Sequence, residues 1–182
     1  MSGRVSAILR SWRRDRRGVA AVEFAFTVPV LLVVYMAGFE LSQAMAAYRK
    51  LSDATVELAN ITAQYTKMNS GDVSSVMNAS AQIMAPCPTA NLTIVLSEVT
   101  TDAANNATVT WSQASGGASA LTAGSSIALP AGLGSPGTSY ILVQTTYRYD
   151  PIIGGHFISA IPMTDQIYMV PRASSAIPYT AS

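Results

Sequence analysis

Hydrophobic and polar positions divide the chain into three successive patterns. From Val19 to Phe39 it reads VAAVEFAFTVPVLLVVYMAGF, with Glu23 as the one charge. As a helix those 21 residues extend about 31 Å at ~1.5 Å each, the thickness of one hydrocarbon core. A core helix of a soluble domain would be shorter and one-sided, so the pattern predicts a membrane span over 19–39. Pro29 removes one backbone donor within it and predicts a kink, which neighbouring helices tolerate inside a membrane.

From Glu40 the period shifts. Leu41, Met45, Tyr48, Leu51, Thr55, Leu58, Ile61, Tyr65 and Met68 recur at steps of three and four, with Arg49, Lys50, Asp53, Glu57 and Gln64 off the stripe. This predicts an amphipathic continuation of the helix over 40–70, ending near Asn69-Ser70-Gly71. Thr55 and the alanines suit a coiled-coil seam poorly, so the stripe is expected to face the protein's own sheet.

A second helix is predicted from Asp72 to Met84, stopped by Pro86. Beyond it the period becomes two. Leu92–Val99 and Ala107–Gln113, joined by the turn-prone Thr101–Asn106, read as a hairpin. Tyr140–Tyr149, rich in β-branched and aromatic residues, is the strongest strand, and Asp165–Val170 reads as the last, ended by Pro171. Trp111 and Tyr147 fall on these strands in phase with a face packed on the helix stripe. Ala114–Ser139 holds six of the twelve glycines among Ser and Ala, a composition that favours a flexible loop. No tandem repeat is present. The expected fold is α+β, with one long N-terminal helix packed through its second half on an antiparallel sheet of three or four strands. Residues 71–182 would form the globular domain.

Composition agrees with a lipid-embedded segment: 12% of residues are charged and mean hydropathy is +0.30, against about a quarter charged in soluble domains. Net charge is +1, yet six of the eleven basic residues (Arg4, Arg10, Arg13, Arg14, Arg16, Arg17) lie in the first 17 positions. After residue 18 there are five basic against nine acidic residues. Arginines before a span and few after it place the N-terminus in the cytoplasm and the domain outside it. The same arginines lack the interleaved aromatics and folded basic face of a nucleic-acid module, so no nucleic acid is expected.

Candidate chemistry centres on Arg16-Arg17-Gly18-Val19-Ala20-Ala21-Val22-Glu23-Phe24. Basic residues, a glycine, four small or apolar residues, a carboxylate and an apolar run resemble the processing site of type IV prepilins. More narrowly, RRGVAAVEFAFTVPVLLVVYMAGFEL is similar to the N-terminus of TadE/TadG-type minor pilins, or pseudopilins, of tight-adherence (Flp) pilus systems. The resemblance covers about residues 13–42. It implies that residues 1–18 are a basic leader, with Arg13, Arg14, Arg16 and Arg17 as its topology and processing signal. It also implies a prepilin peptidase cut between Gly18 and Val19 at the cytoplasmic face. Glycine suits that position, because a backbone without a side chain can lie extended in a tight cleft. Val19 departs from the larger apolar residue of many type IV pilins.

Glu23 would become the fifth residue of the processed chain, and the resemblance gives it a role in subunit assembly, paired with a neighbour's new α-amino group. A carboxylate in an apolar span costs up to ~3 kcal/mol at the bilayer centre and is a functional candidate for that reason. A bland alternative is that Glu23, about one turn inside the span, reaches the headgroups. The implied partners are the prepilin peptidase, other pilin-like subunits, the inner-membrane assembly platform and membrane lipid. The implied role is structural: a minor pilin supporting pilus assembly, adhesion or secretion from the bacterial inner membrane, without a cofactor.

Other motifs carry less. Ala44-Met45-Ala46 matches a small-x-small signal-peptidase site, which would release a soluble extracytoplasmic binding domain after Ala46. Glu23 in the apolar run and a stripe running across the site argue against it. Arg13-Arg14 is a still weaker twin-arginine signal. Asn60, Asn78, Asn91 and Asn106 each begin an N-x-S/T sequon, as chance allows in a chain rich in Ser, Thr and Asn. Cys87, the one cysteine, sits between Pro86 and Pro88 and reads as an unreactive turn residue, with an intermolecular bridge as the lesser reading. His156, the one histidine, excludes a histidine-cysteine metal cluster and lacks a recognisable serine nucleophile motif. Neither catalysis nor metal binding is expected.

Overall fold

The structure, a computed structural model, describes residues 16–153, 155 and 159–181. Its contacts divide between Ser42 and Gln43 into two units. Helix α1 (Arg16–Thr62) is unbroken through Pro29. In the first unit its side chains from Gly18 to Ser42 lie open or nearly so. This is the one helix among the described residues long and apolar enough to cross a membrane, with a window of mean hydropathy 2.1.

The second unit packs the rest of α1 on a sheet. Its remaining elements are β1 (Met68–Asn69), α2 (Ser70–Met84), a 3-10 turn (Thr89–Asn91), β2 (Leu92–Thr101), β3 (Ala107–Ser115), β4 (Ser126–Ile127), β5 (Ser139–Tyr149), β6 (Ile161–Met169) and β7 (Tyr179–Thr180). The main sheet has the order β4-β3-β2-β5-β6, all antiparallel, and β1 pairs in parallel with β7. The α+β plan is as the sequence implies, with a fifth strand supplied by the short edge β4.

Period-two alternation sends Leu92, Ile94, Leu96, Ile141, Val143, Tyr147 and Tyr149 to the face that shares a core with Leu51, Ala54 and Leu58 of α1. Trp111 and Tyr147 both join that core, as their phase implied. The buried helix face differs from the expected stripe. It runs through Ala47, Leu51, Ala54, Thr55, Leu58, Ala59 and Thr62, whereas Met45 and Tyr48 are exposed. Small side chains let the helix lie close to the sheet. The Thr55 hydroxyl, buried, reaches the Leu51 carbonyl at 2.8 Å and the Thr145 hydroxyl at 2.6 Å, so its polar group is satisfied.

The helix stops at Thr62 rather than near Gly71. Gln64 and Tyr65 tighten into i→i+3 bonds, and Arg172 closes the end by donating from its backbone to the Ala63 carbonyl (2.8 Å) and from its guanidinium to Asn60 Oδ1 (3.0 Å). A cation at a helix C-terminus also meets the favourable end of the helix dipole. Met68 then serves β1, and Asn69 caps the N-terminus of α2: its side chain accepts from the Asp72 N–H (2.9 Å) while Asp72 accepts from the Asn69 N–H (3.0 Å).

The glycine-rich stretch also departs from expectation. Instead of a loose loop it folds over the outer face of the sheet, where Leu121, Ile127 and Leu129 pack on Val99, Ala107 and Leu142. Thr101 ties its end: the Thr101 hydroxyl donates to the Ser135 carbonyl (2.6 Å) and accepts from the Thr138 N–H (2.9 Å). Glycine is used here for conformation. Gly116 has φ +69°, and an added Cβ would stand 2.0 Å from the Leu92 carbonyl oxygen, a clash no L-residue could relieve.

Candidate functional site

The residues singled out from the sequence lie in the first unit. Arg13 and Arg14 fall outside the described residues, as does His156. Arg16 and Arg17 open α1. Gly18 is helical, and a Cβ added to it would meet nothing within 4 Å. Glycine in a helix interior costs roughly 0.5–1 kcal/mol relative to alanine, so packing gives no reason for this residue.

Val19, Val22, Phe24 and Phe26 surround Glu23 with exposed apolar surface. The Thr27 hydroxyl donates to the backbone carbonyl of Glu23 at 2.7 Å. That bond satisfies the threonine within the helix and leaves the carboxylate out of it. Among the described residues the Glu23 side chain has no salt-bridge partner; the ion pair found is Arg148 with Asp150 at 3.6 Å.

The second unit adds a group that the sequence reading passed over. Glu98 is buried in the sheet at 1% exposure. Its carboxylate accepts the Ile177 N–H at 2.6 Å, with Ser139 as a further donor. Trp111 Nε1 in turn donates to the Ile177 carbonyl at 2.7 Å and its ring stacks on Tyr179 at 5.4 Å. The C-terminal segment is thereby clamped to the sheet. Leu92, Ile94, Leu96 and Glu98 share one alternation, so a carboxylate at an inward position was the available signal.

Burial raises the Glu98 pKa above the usual carboxylate range, with its hydrogen bonds opposing the shift. Between the ordinary glutamate value of about 4.3 and the raised native value, the folded domain binds more protons than the unfolded chain. Its contribution therefore makes stability fall as pH rises through that window. Glu98→Gln keeps an acceptor for Ile177 and should flatten this part of the profile. Urea midpoints of both proteins from pH 4 upward check it; parallel profiles would show that Glu98 is not the titrating group.

Cys87 is half-buried, and its thiol lies against Tyr147, whose hydroxyl pKa is raised by burial first and by Cys87 next. Among the described residues no group of three or more His, Cys, Asp or Glu side chains could hold a metal. Two of the four sequon asparagines, Asn60 and Asn78, lie in α-helices.

An exposed apolar helix with one carboxylate, followed by an α+β unit, defines a protein with a candidate N-terminal span. The family model described as TadE-like protein matches residues 18–60, so over those residues the chain is similar to that family. That match supports a Tad pilus-associated protein. No curated protein and no solved structure matches the chain.

Proposed function

We propose that the chain is a structural minor pilin, or pseudopilin, of a Tad (Flp) pilus system, supporting pilus assembly, adhesion or secretion. A prepilin peptidase cuts between Gly18 and Val19. The processed chain stays in the inner membrane through residues 19–39, with the second unit outside the cytoplasm, and meets other pilin-like subunits and the assembly platform. Its role is architectural rather than catalytic. The observation that carries this reading is the exposed apolar helix bearing Glu23 five residues beyond Gly18. Support over release after Ala46 comes from α1, which runs unbroken through that site and buries Ala47 in the core. Cleavage there would cut into a packed helix.

Glu23→Ala tests the assembly role. A new α-amino group beside the carboxylate gains Coulomb energy in a low-dielectric setting, offset by desolvation. A net loss of about 1.4 kcal/mol corresponds to a tenfold fall in association. The variant should insert and be cut like wild type, yet give about tenfold less cross-linked complex with pilin-like subunits in the native host. Wild-type yield of complex would refute the charge-pairing role.

A further inference from the structure

The two edges of the main sheet are finished differently. At β3 the short β4 and the glycine-rich segment take up outward backbone groups: Val109 donates to the Ser125 carbonyl (3.0 Å) and accepts from the Gly124 N–H (2.7 Å). The other edge is β6, nine residues paired with β5 throughout, with no described strand on its far side. Side-chain bonds fix its alternation. The Thr93 hydroxyl donates to the Thr146 carbonyl (3.4 Å), so Thr146 turns its backbone to β2. Thr145 then turns to β6, where its hydroxyl meets the Asp165 carbonyl at 3.5 Å. In an antiparallel ladder the next residue faces the other way. Pro162, Thr164, Gln166 and Tyr168 therefore direct their backbone groups outward.

An uncovered row of N–H and C=O groups is a template for a strand of another chain. Among the described residues β6 makes no backbone–backbone bond beyond its ladder with β5. Two of its outward donors are nevertheless closed. Pro162 has no N–H to offer, and an edge strand tolerates proline where the missing donor would face out. At the centre, the Gln166 N–H donates to the Asp165 carboxylate at 2.9 Å. An incoming strand would offer a neutral carbonyl in place of a charged oxygen, and charge-assisted hydrogen bonds are the stronger kind. Asp165 is also the one charge in Ile161–Met169. Two copies paired about their middle would set two carboxylates opposite each other, which is destabilising. We propose that Asp165 is an autoinhibitory cap: by holding the Gln166 N–H, it keeps β6 from adding to β6 of a second copy. Pro162 assists at one end. This inference concerns the second unit alone and is independent of the pilin reading.

The test uses the full chain in detergent with Cys87→Ala, so that single introduced cysteines report contacts between copies. One reporter is Thr164→Cys on β6. The control is Ala104→Cys in the β2–β3 turn, on the far side of β5 from β6. A short bis-maleimide should link few copies through residue 164 while Asp165 is present. Asp165→Ala should raise that yield severalfold and leave the yield through 104 unchanged, with near-ultraviolet circular dichroism as in the parent. Asp165→Asn keeps an oxygen acceptor for the Gln166 N–H and should stay close to the parent. Unchanged linking through 164 in Asp165→Ala overturns the cap. An equal rise at 164 and 104 shows general unfolding and overturns it too. Linking in Asp165→Asn as strong as in Asp165→Ala assigns the effect to charge alone, and the cap is again overturned.

Discussion

Trp111→Ala should lower the stability of the sheet domain by about 3–5 kcal/mol, the usual cost of deleting a buried tryptophan. Domains of this size are stable by roughly 5–15 kcal/mol, so the variant would be marginal at best. The effect has three sources here. The ring is buried in the core shared by α1 and the sheet, it stacks on Tyr179, and its Nε1 holds the Ile177 carbonyl. Losing it also weakens the hold on the segment in which Ile177 meets Glu98. Trp111→Phe keeps much of the volume and removes the hydrogen bond, so it should cost less. Urea titration of the detergent-solubilised chain, followed by near-ultraviolet circular dichroism, measures both. An unchanged midpoint for Trp111→Ala would contradict its place in the core.

The sequence revealed the plan better than the packing. Length and apolarity are enough to identify a span, and period two is enough to find β2, β3 and β5, because those signals repeat over many residues. The buried face of α1 was harder to see. A stripe drawn through large side chains favours Met45 and Tyr48, but close helix–sheet contact selects Ala47, Ala54 and Thr62. Small residues carry little hydropathy signal, so the true face is muted. The helix end was missed for another reason: Arg172, 110 positions beyond Thr62, supplies its closing bonds. Local pattern contains no trace of that partner.

Two further differences share a physical origin. Six glycines among Ser and Ala suggest loose chain, yet Gly116, Gly124 and Gly137 hold positive φ in a segment bonded to β3 and Thr101. Composition cannot distinguish glycine chosen for freedom from glycine chosen for one rare conformation. Glu98 drew no attention in the sequence although it shares the phase of Leu92, Ile94 and Leu96. In the first unit the situation reverses. There Gly18 and Glu23 were singled out as a motif; the structure gives Gly18 open space and borders Glu23 with exposed apolar side chains.

Gly18→Leu should abolish processing while leaving the chain folded and inserted. The expectation follows from two separate facts about the position. A side chain added at Gly18 meets open space in the helix, and leucine is a better helix former than glycine by up to about 1 kcal/mol. The substitution therefore strains nothing in the protein and strengthens the helix locally. Proteolysis makes the opposite demand, since the peptidase needs an extended backbone in a narrow cleft, which a branched side chain and a firmer helix both oppose. Gly18→Leu should accumulate as full-length precursor in the membrane fraction of the native host, with little or no product beginning at Val19. Gly18→Ala, which adds a single methyl group, should be cut more slowly than wild type but faster than the leucine variant. Immunoblots for precursor and product, with the mass of the extracted chain fixing the cleaved bond, read the result. Cleavage of Gly18→Leu after the same residue at the wild-type rate would overturn the assignment of Gly18 and Val19 as the processing site.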